Sequence, residues 1–203
     1  MKSLFILAVL TIVMVGTTQS SYADAFVFTT SLSGPAEAPP NASPGTGLGT
    51  ITYDSVAHTL RVQISFSGLL GTTTASHIHS ATPTPGTGTA GVATQTPTFA
   101  GFPLGVTSGT YDNTFDLTLA TSWNAAFIAA NGGTTAGAEA ALFSGMSQGR
   151  AYLNIHTGQF PAGEIRGFLQ ATPEPATIVL LGSGLAGLAS SVRRRRKAKN
   201  IQA

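Results

Sequence analysis

Three short segments hold the residues best suited to chemistry. Ser76-His77-Ile78-His79 sets two imidazoles two positions apart. Along an extended strand residues i and i+2 share a face, so both rings are expected to point one way while Ile78 points into a core. Tyr152-Leu153-Asn154-Ile155-His156-Thr157 follows the same rule, with Leu153 and Ile155 inward and Asn154 and His156 together on the opposite face. In Pro161-Ala162-Gly163-Glu164-Ile165-Arg166-Gly167 a turn feeds a strand that is expected to carry Glu164 and Arg166 on one face. Two readings compete for these side chains. The simpler is a cross-strand polar network of His77, His79, Asn154, His156, Glu164 and Arg166, closed by a Glu–Arg ion pair, with no cofactor. The alternative is a metal site on His77, His79 and His156, because imidazole nitrogens at this spacing suit Zn²⁺ or Cu²⁺ at about 2.0–2.1 Å.

Other chemistries lack their residues. No serine stands in a G-x-S-x-G context, and no phosphate-binding or dinucleotide glycine pattern is present. Lys2 is the only lysine before the C-terminal tail, which removes a Schiff-base lysine from the mature domain. There is no cysteine, hence no disulfide and no thiolate ligand. Asp112 and Asp116 share a strand face but stand about 13 Å apart at roughly 3.3 Å per residue, too far for paired-carboxylate work. His58 opens a strand at a turn and is expected to be solvated, and Arg61 to be an exposed solubility charge. A non-enzymatic binding or structural module is the expectation, with a metal-binding protein or metalloenzyme as the alternative.

The elements that must position these residues are mostly strands. His58 to Ser67 alternates, with Leu60, Val62, Ile64 and Phe66 on one face and Thr59, Arg61, Gln63 and Ser65 on the other. That is a half-buried antiparallel strand. Gly47 to Asp54, carrying Leu48, Ile51 and Tyr53, should pair with it through a turn at 54–57. Ala25 to Ser33 reads as a first strand and Val106 to Leu119 as one or two more. The Pro- and Gly-rich stretches 35–47 and 81–91 are loops. Ala-rich patches at 122–130 and 135–144, separated by Asn131-Gly132-Gly133, should be helical, with Trp123 and Phe127 anchoring the first to the core. The result is one all-β domain, an antiparallel β-sandwich with a short helical connection, over residues 26–171.

Charge points the same way. Between Phe26 and Ala171 three arginines face six acids, so the domain is weakly acidic and offers no footprint for nucleic acid. Most of the basic charge is terminal, in Arg193, Arg194, Arg195, Arg196, Lys197 and Lys199. Residues 1–25 read as a signal peptide: Lys2, an apolar run from Leu4 to Val15, and Ala23-Asp24-Ala25 as an A-x-A cleavage site. At the other end Pro173-Glu174-Pro175 precedes an apolar stretch, 176–192, and the basic patch 193–199. Seventeen apolar residues lie at the short limit for a membrane span, and the basic patch should stay cytoplasmic.

The tail over residues 172–203, with Pro173, Glu174, Pro175, a Gly-containing apolar helix and Arg193 to Arg196, resembles the PEP-CTERM sorting signal of Gram-negative bacteria. The resemblance implies a transient inner-membrane stage through 176–192 and cleavage by an exosortase after signal peptidase has acted. It also implies delivery to the outer surface or the extracellular space, where a polysaccharide or protein matrix would be the partner. His77-Ile78-His79, the Tyr152–Thr157 strand and Gly163-Glu164-Ile165-Arg166-Gly167 resemble the CHRD domain, first described in chordin. That resemblance implies an immunoglobulin-like antiparallel β fold and names no activity.

Overall fold

Period-two alternation is realised most fully in one long hairpin of the sheet. Strand β2 (Thr46–Asp54) and strand β3 (Thr59–Ser67) pair in antiparallel register from Thr46↔Ser67 to Asp54↔Thr59. Leu60, Val62, Ile64 and Phe66 all face the core, each burial stabilising by about 1.5–3 kcal/mol. The Asp54 side chain accepts from the amides of Val56 and Ala57 in the connecting turn. Leu48 stands outward at 63% exposure, and Gly47, Gly49, Ile51 and Tyr53 take the inward positions.

The computed structural model describes residues 25–172 and 183–185. Apart from Ala25 the signal peptide lies outside them, as do Pro173, Glu174, Pro175, the basic patch, and all of 176–192 except a helical turn at 183–185. Among the described residues no helix is long and apolar enough to cross a membrane.

The chain is mostly β and antiparallel, as expected. Around β2 and β3 lie β1 (Ala25–Ser33), β4 (Thr73–His79), β5 (Gly109–Asp116), β6 (Tyr152–Thr157), β7 (Ile165–Phe168) and β8 (Gln170–Ala171). Hydrogen bonding runs in the order β4-β6-β7-β1-β2-β3-β5, with β8 on β1. This single sheet curls over one core, in which Phe28, Ile51 and Val62 share a cluster with Ile78, Leu153 and Ile165. A Cβ at Gly49 on β2 would come within 2.7 Å of Leu153 Cδ2 on β6, so these two strands, three apart in the sheet, press together across the core there.

The helices are short. Helix α1 (Ala125–Ala130) starts at Asn124, whose side chain accepts from Ala126 N, and stops at Asn131-Gly132-Gly133. Helix α2 (Thr135–Ser147) is capped by Thr134 and runs three residues beyond its expected end at Ser144, placing Leu142 and Met146 on the core. Trp123 is a core residue as expected, but it precedes the helix, bridging to Thr94 and donating its indole N–H to Leu117 O.

His58 is exposed, as expected, yet it also has a protein partner. Its Nδ1 meets the buried Glu139 carboxylate of α2 at 3.0 Å, and Tyr53 donates to the same group at 2.8 Å. Arg61 forms a two-pronged pair with Asp112 of β5 at 2.8 and 2.6 Å, exposed on the outer face.

Candidate functional site

Strands β4, β6 and β7 lie side by side, and their outward faces form a small grid. His79 pairs with Tyr152 and Tyr152 with Phe168, His77 pairs with Asn154 and Asn154 with Arg166, and Ala75 pairs with His156. Directly opposed residues of an antiparallel pair share a face, so the register brings His77, His79 and His156 together. Their ring centroids stand 5.2 to 5.8 Å apart. On the other face of the same strands Ile78, Leu153 and Ile155 are sealed in the core, so the expected in–out alternation is present.

The grid is not open to water. The segment after β4 folds back along its edge, with Ser80 N on Gly91 O, Ala93 N on Ile78 O and Phe99 N on Ser76 O, and so covers an edge that would otherwise be free. Loop carbonyls then reach the rings. His77 Nε2 donates to Pro97 O at 2.6 Å, His79 Nδ1 to Ala90 O at 2.9 Å, and His156 Nδ1 to Pro161 O at 2.9 Å. A carbonyl only accepts, so each of these nitrogens carries the ring proton and the other keeps a lone pair. Those others, His77 Nδ1, His79 Nε2 and His156 Nε2, are buried without a partner. One ring nitrogen of each histidine lies within 4.8 Å of one on each of the others.

Burial, more than any neighbouring charge, holds all three imidazoles below their ordinary pKa near 6.5, His79 to about 4. They are neutral bases at neutral pH, the state in which imidazole binds metal. A tetrahedral ion at 2.0–2.1 Å needs nitrogens about 3.4 Å apart, so the rings would have to draw closer to supply three of its four ligands. The three carbonyls already supply the outer hydrogen bonds that orient metal-binding histidines.

The expected Glu164–Arg166 ion pair is not formed; the two side chains leave the backbone in different directions. Glu164 lies before β7, next to Gly163 with φ of +133°, where strand alternation does not hold. Its buried carboxylate accepts from Ser43 Oγ at 2.6 Å, Leu70 N at 2.5 Å, Gly71 N at 3.1 Å and Thr157 Oγ1 at 2.7 Å. Arg166 instead lies over the Tyr152 ring at 4.8 Å, donates to Ala36 O and Gly88 O, and has Glu37 as its acid at 3.7 Å. Tyr152 in turn stacks on His79 at 4.7 Å.

Glu37 was not legible as a site residue. Its only signal is that it is the one charged residue in the 35–47 loop. Burial outweighs Arg166 and pushes its carboxyl up to about 7. Its Oε1 and the Oδ1 of Asn154 are also buried without a partner.

A family model for the CHRD domain matches residues 28–169, which contain every element of this site. The chain belongs to the CHRD domain family. Immediately after its CHRD domain, residues 171–196 match the PEP-CTERM protein-sorting motif. That motif marks the protein for export and membrane-associated sorting toward the cell surface, with processing by an exosortase. No curated protein and no solved structure matches the chain.

Proposed function

We propose that this exported protein is a surface or extracellular-matrix component whose CHRD domain binds a transition-metal ion, Zn²⁺ or Cu²⁺, through His77, His79 and His156. One observation carries the reading: the three imidazoles are clustered, with one ring nitrogen of each within 4.8 Å of one on each of the others, and each ring ties one N–H to a backbone carbonyl and leaves its other nitrogen buried without a partner. Lone pairs repel one another, and a cation is the partner that satisfies all three at once. A purely polar network would have spent these nitrogens on donors, and Asn154, Glu164 and Arg166 supply none to them. Elemental analysis of the protein purified after export should find one metal per chain, lost in the His77→Ala and His156→Ala variants. A metal-free, folded protein that takes up neither ion in calorimetry would retire the proposal.

The tail reading is that an exosortase cuts near Pro173-Glu174-Pro175 and releases the domain from the inner membrane. It rests on the sorting-motif match and on the order of tripeptide, apolar stretch and basic patch. A reporter fused to residues 172–203 should be shortened and released only in a host carrying an exosortase. Identical size and location in hosts with and without the enzyme would leave a plain anchor.

A further inference from the structure

Resting on the metal reading, we infer that the ion keeps a fourth, exchangeable position that faces Asn154 and is occupied by water, so that the site takes up small exogenous ligands. Among the described residues no fourth His, Cys, Asp or Glu joins the three histidines. Three protein ligands and one solvent position is the arrangement of zinc sites that remain reactive, whereas purely structural sites supply all four. The second observation is independent of the rings. Asn154 is 2% exposed, stands between His77 and Arg166 in the grid, shares its face with His156, and leaves Oδ1 without a partner.

Glu37 extends the unsatisfied region. A Cβ at Gly163 would lie 2.6 Å from Glu37 Oε1 and 2.7 Å from both amide atoms of Asn154, so carboxyl and amide meet at this glycine. Both unpartnered oxygens, Glu37 Oε1 and Asn154 Oδ1, meet at Gly163, and Asn154 is the direct cross-strand neighbour of His77. Acceptors beside a cation call for a ligand that gives a lone pair to the metal and protons to its surroundings. Water meets both demands, and Asn154 Oδ1 accepts one of its protons.

The test uses Co²⁺, which reports its coordination in the visible spectrum, and azide as the exogenous ligand. The exported protein, loaded with Co²⁺, should show saturable spectral changes as azide is added. Asn154→Asp places a carboxylate at the fourth position with nearly the same shape; this variant should still bind Co²⁺ and should lose the azide response. Stoichiometric Co²⁺ with a spectrum indifferent to azide would mean that the protein fills the fourth position, overturning the inference while leaving the metal reading intact. An Asn154→Asp protein that keeps the parent's azide response would remove Asn154 from that position. Failure to bind Co²⁺ at all would count against the metal reading itself.

Discussion

Glu164 is fully buried, yet its carboxyl is held below its ordinary value near 4.5. Burial pushes upward, and the four hydrogen bonds from Ser43, Leu70, Thr157 and Gly71 outweigh it. The sign follows from proton counting. Below about pH 4.5 the unfolded chain takes up a proton on this group that the folded chain resists. Its stabilising contribution is therefore complete above that pH and is lost as pH falls through the folded value. Glu164→Gln should cost roughly 2–3 kcal/mol at neutral pH, since an amide cannot accept from all four donors. Chemical denaturation should also show a shallower acid loss in the variant than in the parent; equal slopes would deny Glu164 this role. The sequence placed Glu164 beside Arg166 because period two was carried one residue ahead of the start of β7, up to a glycine with positive φ. The histidines were legible because each lies inside a strand, where alternation holds; their ring tautomers were not, since those depend on carbonyls of Ala90, Pro97 and Pro161.

Strands β1, β2 and β3 were readable almost to the residue, because each alternates for nine residues and is bounded by turn chemistry. The inward set on β2 was harder to see, since two of its members are glycines and Leu48, the obvious apolar residue, faces water. Glycine at 49 is a packing requirement of the curl: an added Cβ would meet Leu153 Cδ2 at 2.7 Å and Thr30 Cγ2 at 3.0 Å. Gly49→Ala should therefore destabilise by about 1–3 kcal/mol, the usual cost of overpacking a core. Equilibrium unfolding measures this, and an unchanged midpoint would show that β2 and β6 approach less closely than described. Residues 81–91 were legible as a loop, but the course of the segment 81–99 was not, for it has no periodicity. Its order comes from bonds to β4 and from the carbonyls it lends to His77 and His79.

Across the whole molecule the core and the histidine site occupy opposite faces of β4 and β6. Strand order was beyond reach from sequence, because β4 finds β6 across some seventy intervening residues and no local pattern encodes that pairing. The separation of faces has a thermodynamic consequence. The apolar cluster packs away from the three histidines, so an ion bound as proposed would add to a core that does not depend on it, unlike small zinc modules whose folding is metal binding. Free Zn²⁺ at about a hundred times its dissociation constant stabilises by about 2.7 kcal/mol. For a domain of this size that raises Tm by roughly 5–10 °C. Chelation should reverse the shift while far-ultraviolet circular dichroism at 25 °C keeps its β signature, and His156→Ala should melt at the same temperature with or without Zn²⁺. Loss of the β signature on chelation would tie the metal to the core itself, and a Zn²⁺-dependent shift surviving in His156→Ala would place the ion elsewhere.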